Sequence, residues 1–331
     1  MRIPGFLSIL QAQLENLPLD FLERVNRPGG LEISSLIDLV IRPRDYTVAD
    51  PAEVDSKAVL KNEALSGDAF WIGRESLLDG TTAHCIIAND DSFKKLSNTT
   101  LLELQLMKTS WVKHVWIMVS PSRFEDAKKI VESLGNNRKI FQQHESFCLT
   151  PDNRLHIENE KAFLHECGPG DLIPVLNHNK TLEHFMNEGG KHVMVCDGDN
   201  ILGSAHPVIV GQHLLSKSNV TCEVTSRKID DSCAILCKHA GFDQIVEQFR
   251  LSSLVDVDRF PLIATGTLVF AATLNFDSAE FKWHRTKVIM KNQFVVQYKR
   301  TLCDLTAIFQ TQFVETPRSL CYMHAKELLK E

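Results

Sequence analysis

Basic charge, long apolar runs and paired cysteines are all scarce in this 331-residue sequence. Lys and Arg number 36 against 42 Asp and Glu, a formal net charge of -6. A protein that tracks a phosphate backbone normally shows a basic excess or a long basic run. Here basic residues cluster only in short pairs such as Lys94-Lys95 and Lys128-Lys129, read as solvated helix faces. Nucleic acid is therefore not an expected partner. No stretch approaches the ~20 apolar residues of a membrane span. The N-terminal run MRIPGFLSILQAQLENL is interrupted at Gln11, Gln13 and Glu15 before a signal-peptide core can form. No membrane association is expected. The 9 Cys are odd in number and contain no CxxC, the pattern of reduced thiols in a cytoplasmic protein rather than of a disulfide framework.

What is present points to an α/β architecture. The length suits about two domains, or one large domain with additions. Phe6, Ile9, Leu10, Leu14, Leu17, Phe21 and Val25 can share one side of a helix over 4–26, and Arg27-Pro28-Gly29-Gly30 stops it. Short helical pieces broken by Pro43 and Pro51 follow. Residues 1–80 thus read as a helical N-terminal segment. From 83 onward strand-like and helix-like runs alternate: AHCIIA, a helix near 99–110, HVWIMVS, a helix near 122–134, then KIFQQ. This spacing predicts βαβ units and a mixed, mostly parallel sheet. HVMVC (192–196) is a buried strand, followed by a helix over 207–215 with Pro207 in its first turn. CEVTSR, AILCKH and QIVEQF lie close enough for antiparallel pairing, with Gly241 at a turn. LIATGTLVFAAT is a further strand, and helices are expected over 303–313 and 322–330. Residues 81–331 read as one continuous α/β domain.

Two segments could carry chemistry. In Gly168-Pro169-Gly170-Asp171, two glycines within three residues allow close backbone approach to a ligand. The same tetrapeptide is also an ordinary turn. Asp197-Gly198-Asp199-Asn200 ends the HVMVC strand, where ligands gather in open α/β sheets. Alternate residues of an extended chain face one side, so both carboxylates could reach one hard cation. A polar loop capping the next helix explains them equally. Cys233, Cys237 and His239 fit alternating strand positions better than a zinc site. No HExxH, GxSxG or GxxxxGK[ST] occurs.

The order of segments is more specific than any one of them. HECGPGDLIPVL, GGKHVMVCDGDNILGSAHPVIVGQHL and CEVTSRKIDDSCAILCKHAGFDQIVEQFRL resemble, in order, the eukaryotic-type UDP-sugar pyrophosphorylases, with the UDP-glucose branch nearest. GPGD is similar to that family's PPGHGD loop, and CDGDNILG to its strand-end DNLG. FPLIATGTLVF, the stretch from Lys287 through VQYK, and FVETPRSLCYMHAKELL continue the match. The resemblance implies a nucleotide-diphospho-sugar transferase α/β fold with a helical leader. It also implies a chain without the left-handed β-helix that many members carry at the C-terminus, and hence a monomer or a hetero-complex.

The resemblance further implies transfer of UMP from UTP to a sugar-1-phosphate with release of pyrophosphate, assisted by Mg²⁺. Asp199 would hold the metal, with Asp197 assisting. Gly168, Gly170 and Asp171 would line the uridine side, and Asn200 would contribute to substrate binding. Thr265, Gly266 and Glu247 would face the sugar, and Lys287 and Lys326 would meet phosphates. The family's Gly-rich nucleotide loop after the first strand is missing, since no Gly occurs from 81 to 134. Such a loop cannot readily bring backbone N–H groups to a triphosphate. Asp90 and Asp91 would repel one, with Lys94 and Lys95 compensating in part. Two readings therefore stand side by side: a uridylyltransferase with a remodelled loop, or an inactive member that binds a nucleotide-sugar or another protein.

Overall fold

The computed structural model describes residues 5–41, 51–55, 58–61, 66–135, 138–229, 231–276 and 281–328. The chain divides into two compact units. One comprises Met1–Thr47, Gln142–Asn179 and Phe281–Leu302, the other Val48–Phe141, Lys180–Glu280 and Cys303–Glu331.

The second unit is built on a mixed, mostly parallel sheet. Its strands run in the order Leu60–Lys61, Thr311–Glu315, Val220–Ser226, Leu262–Ala271, His192–Asp197, Thr82–Ala88, Val115–Val119 and Lys139–Gln142. Thr82–Ala88 pairs in parallel with both His192–Asp197 and Val115–Val119. Leu262–Ala271 is the antiparallel member, between His192–Asp197 and Val220–Ser226. The strands Thr82–Ala88 and Val115–Val119 are buried along their whole length. That is what continuous apolar runs such as CIIA and VWIMV require when helices cover both faces. Ile235–His239 and Phe242–Val246 form the expected hairpin. Its two-residue turn places Ala240 at φ 50° and Gly241 at φ 86°, the left-handed pair that matches strand twist.

The helices Ser66–Asp79 and Pro207–Ser216 cross in backbone contact. A methyl group added at Gly73 would overlap the Pro207 carbonyl, and one at Gly211 would overlap the Ala69 carbonyl. Small residues at both crossing points let this pair approach closely over the core formed by Ile86, Ile117, Met194 and Ile209.

The first unit packs its N-terminal helices on small antiparallel pairs. Leu7, Leu10, Leu14 and Val25 bury against Phe147, Leu149, Leu155 and Val296. The single helix expected over 4–26 is two, Gly5–Glu15 and Leu19–Val25. Pro18, at φ -57° and ψ 144°, lies between them and cannot continue an i→i−4 ladder. Ile9, within the first helix, is exposed at 39% rather than sharing the buried side. The C-terminal expectation also changes. Residues 311–315 are a strand, with Phe313 buried opposite Cys222. Two short helices, Arg318–Cys321 and Ala325–Leu328, replace the one expected over 322–330, because the residues between them bridge to Asn200 instead. No helix among the described residues is long and apolar enough to cross a membrane, and all nine cysteines are free thiols.

Two stability tests follow from this packing. Gly211→Ala should cost about 2–3 kcal/mol, the range of backbone-shifting overpacking, read as a lower urea midpoint. His213, 1% exposed, lies 3.1 Å from His192 and 3.0 Å from the Thr221 hydroxyl. Burial, reinforced by His192, lowers its pKa to about 3. Burial likewise lowers His84 to about 3, with Arg138 adding to it. An unfolded histidine takes up a proton below about pH 6.5, whereas these two stay neutral in the fold. Stability should therefore fall as pH drops from 6 to 5, by roughly 1.4 kcal/mol per pH unit for each. His213→Gln should make that slope shallower in urea titrations at both pH values.

Candidate functional site

The chain reverses sharply at the carboxyl end of the His192–Asp197 strand. Gly198 N–H donates to the Ile87 carbonyl at 2.7 Å, and Asn200 N–H returns to the Asp197 carbonyl at 3.3 Å. Gly198 is needed because a side chain there would meet Ser92 Oγ at 2.5 Å. From below, the buried Gln105 amide donates to the Asp197 and Asn200 carbonyls at 3.3 and 3.0 Å.

Asn200, 1% exposed, is the hub of this turn. Its Nδ2 donates to the Thr265 carbonyl at 3.1 Å and the Cys321 carbonyl at 2.8 Å. Its Oδ1 accepts from the Leu202 and Met323 N–H groups at 3.2 and 3.1 Å. The amide is thus committed to backbone and acts as a brace. It brings the 321–325 segment alongside, where Ala325 N–H donates to the Asp199 carbonyl at 2.8 Å.

Asp197 and Asp199 are half-buried neighbours with opposite electrostatics. Burial, reinforced by the Asp199 and Glu247 carboxylates, pushes the Asp197 carboxyl well above the usual range. Burial acts the same way on Asp199. There it is outweighed by His324 Nε2, 3.3 Å from Oδ2, and by the Asn89 amide, which donates to Oδ2 at 2.8 Å. Asp199 titrates below its ordinary value as a result. Gly266, at φ 80°, packs directly on the Asp197 carboxylate, where any Cβ would overlap Oδ2. Beside it, the Thr265 hydroxyl donates to Glu223 Oε2 at 2.8 Å, and Glu223 Oε1 is buried without a hydrogen-bond partner among the described residues. Glu247 ends the hairpin and leads into the turn Gln248–Arg250.

Asp197, Asp199, Asn200, Thr265, Gly266 and Glu247 therefore come together. Among the described residues no group of three or more His, Cys, Asp or Glu side chains is arranged to hold a metal ion. Mg²⁺, however, is commonly held by one or two carboxylates, with water and substrate phosphates completing its shell. Two adjacent carboxylates, one of them resisting ionisation beside the other, fit that pattern.

The loop after the first strand explains how the site manages without glycine. Asn89 Oδ1 accepts from the Asp91 and Ser92 N–H groups at 2.9 and 3.3 Å, closing a short 3₁₀ turn. Asp91 pairs with Lys94 at 2.6 Å and Asp90 with Arg123 at 2.7 Å, so both acids are compensated locally. The next helix is capped by Thr100 and Glu103.

Gly168, Gly170, Asp171 and Lys287 belong to the other unit. Gly168, at φ 89°, and Gly170 lie against the Arg300 and Thr301 backbone, at 2.6 and 2.7 Å from where their Cβ atoms would stand. Asp171, fully buried, accepts from His144 N–H at 2.7 Å, contacts His144 Nδ1 at 2.9 Å and pairs with Arg300 at 3.5 Å. Lys287 is exposed on a hairpin strand opposite Val296. Lys326 sits in the helix Ala325–Leu328, and its side chain lies outside the described residues.

Sequence reasoning missed Asn89, Gln105, Glu223 and His324. Asn89 and Glu223 had signals. Asn89 ends a strand parallel to the Asp197 strand, and Glu223 is a lone acid in an otherwise uncharged buried strand.

The mixed, mostly parallel sheet flanked by helices is the α/β fold of the nucleotide-sugar transferases. A family model described as UTP–glucose-1-phosphate uridylyltransferase matches residues 87–309, and the chain belongs to that family. It is 22% identical over 281 residues to a barley (Hordeum vulgare) UTP–glucose-1-phosphate uridylyltransferase, covering 80% of this chain and 57% of that one. The chain thus spans little more than half the length of that relative. A UDP-glucose pyrophosphorylase variant from Leishmania major, solved in complex with UDP-glucose, superposes with a TM-score of 0.71 at 13% identity, covering 97% of this chain and 77% of that one. A uridine diphosphate N-acetylglucosamine pyrophosphorylase from Trypanosoma brucei gives 0.67 at 13% identity, covering 96% and 75%.

The bracing role of Asn200 is directly measurable. Asn200→Ala leaves buried carbonyl and N–H groups unpaired at about 1–3 kcal/mol each before relaxation. Urea unfolding should show a net loss of about 2–4 kcal/mol.

Proposed function

We propose that the chain is a uridylyltransferase of the UDP-glucose type, transferring UMP from UTP to a sugar-1-phosphate. The observation that carries this reading is the Asp197–Asp199 pair at the carboxyl end of the His192–Asp197 strand, in a chain of this family. In the reaction a sugar phosphate oxygen attacks the α-phosphorus of UTP. The bond from that phosphorus to the β-phosphate oxygen breaks, and pyrophosphate leaves. The protein's part is positioning and charge neutralisation.

Asp199, assisted by Asp197, would hold Mg²⁺, which supplies positive charge to the reacting phosphates when bound. Asn89 and His324 orient the Asp199 carboxylate through their contacts with Oδ2. Asn200 fixes the loop that carries it. Gly266, without a side chain, lets the Asp197 carboxylate pack against its backbone, and Glu247 accepts hydrogen bonds from the sugar hydroxyls.

A second reading, a member that binds a nucleotide-sugar or another protein without turnover, is favoured by one observation. The N–H groups of Asp91 and Ser92, placed where the family's phosphate loop begins, are already satisfied by Asn89.

Pyrophosphate release from UTP, glucose-1-phosphate and Mg²⁺ separates the two. Asp199→Asn keeps the shape and removes one charge, and it should lower turnover at least ~100-fold, each ~1.4 kcal/mol of transition-state stabilisation being tenfold. Asp197→Asn should cost less. An inactive wild type that still binds UDP-glucose in calorimetry establishes the second reading. Full turnover by Asp199→Asn removes the site assignment.

A further inference from the structure

A cavity of about 330 Å³ opens at the other end of the sheet, near the start of the strands Val115–Val119 and Lys139–Gln142. Lys113, His114, Arg138, Lys139 and His184 line it, against a single acid, Glu188. Its lysines and arginine are bonded to neutral groups. Lys113 Nζ donates to the Asp79 carbonyl at 2.7 Å, and Lys139 Nζ to the Thr181 hydroxyl at 3.1 Å. One terminal nitrogen of Arg138 donates to the Leu106 carbonyl at 2.5 Å, and the other is buried with no hydrogen-bond partner among the described residues. Among the described residues none of these three cations makes an ion pair. Burial lowers the pKa of Arg138, as it must for a half-buried cation without a counter-ion.

The cavity is remote from the carboxylates. Thr82 pairs with His192 at this end of the sheet, and Ile87 pairs with Asp197 at the other. Those five residue steps span about 17 Å at the strand rise. An occupant here would therefore leave the Asp197–Asp199 loop uncovered.

We propose that this cavity binds a small phosphorylated metabolite. Its volume is at the low end for small-molecule sites. Ammonium and guanidinium side chains that line a polar recess without an ion pair among the described residues are the complement of phosphate oxygens.

Isothermal titration calorimetry in EDTA at fixed ionic strength tests this. The probe is fructose 1,6-bisphosphate, which is neither substrate nor product of the proposed transfer. Saturable binding is expected to wild type, with at least tenfold weaker binding to Arg138→Gln and to Lys139→Glu. Lys139 is exposed, so its variant keeps the test valid if the Arg138 variant misfolds. Affinity should be unchanged in Asp199→Asn, and neutral fructose should give no heat. Absence of saturable binding to wild type overturns the proposal, as does equal affinity in the Lys139 variant. Loss of binding in Asp199→Asn places the probe at the carboxylate loop and overturns it too.

Discussion

One side-chain amide, that of Asn200, holds three distant chain segments in register at the carboxyl end of the sheet. It bonds its own loop at Leu202, the Leu262–Ala271 strand at Thr265, and the 321–323 segment at Cys321 and Met323. Because all four bonds go to backbone, the geometry they fix does not depend on neighbouring side-chain rotamers. His324 reaches Asp199 only because the residues before it are anchored in this way. The low pKa of Asp199 is therefore a downstream effect of the amide, transmitted through the placement of an imidazole.

The loop after the first strand shows the same economy. A glycine-rich loop offers N–H groups to a ligand but leaves them unsatisfied when empty, at a conformational cost. Here Asn89 satisfies two of those N–H groups with Oδ1 and turns Nδ2 toward Asp199. One asparagine thus couples the loop to the strand-end carboxylate.

Six of the eight strands in the sheet's order were legible because their apolar runs are continuous and separated by helical periodicity, whereas Leu60–Lys61 and Thr311–Glu315 were not. The Ala240-Gly241 turn was legible from spacing. The strand-end DGDN was also legible as a locus, since its position after a buried strand is a local property. What Asn200 does there was not, because its partners lie 65 and 121 residues away in sequence. GPGD illustrates the limit. Two glycines announce close approach, but only the fold shows that what Gly168 and Gly170 approach is the Arg300–Thr301 backbone. The helix expected over 303–313 was drawn too long, since residues 311–313 pair with Val220, Thr221 and Cys222 as a strand, as Thr311 and Phe313 favour.

That parallel pairing has a consequence for how the chain is made. One edge of Val220–Ser226 is satisfied, among the described residues, by Thr311–Glu315, roughly 85 residues later in synthesis. At about 5–20 residues per second, the ribosome leaves that edge open for roughly 4–17 s. Leu60–Lys61, which pairs with Val314–Glu315, waits longer still. The central sheet therefore closes last at the side farthest from its first βαβ unit. Until then it presents an uncapped, apolar strand edge of the kind that recruits other chains. The nascent protein is most exposed to aggregation in that interval, and a chaperone would have most to cover there.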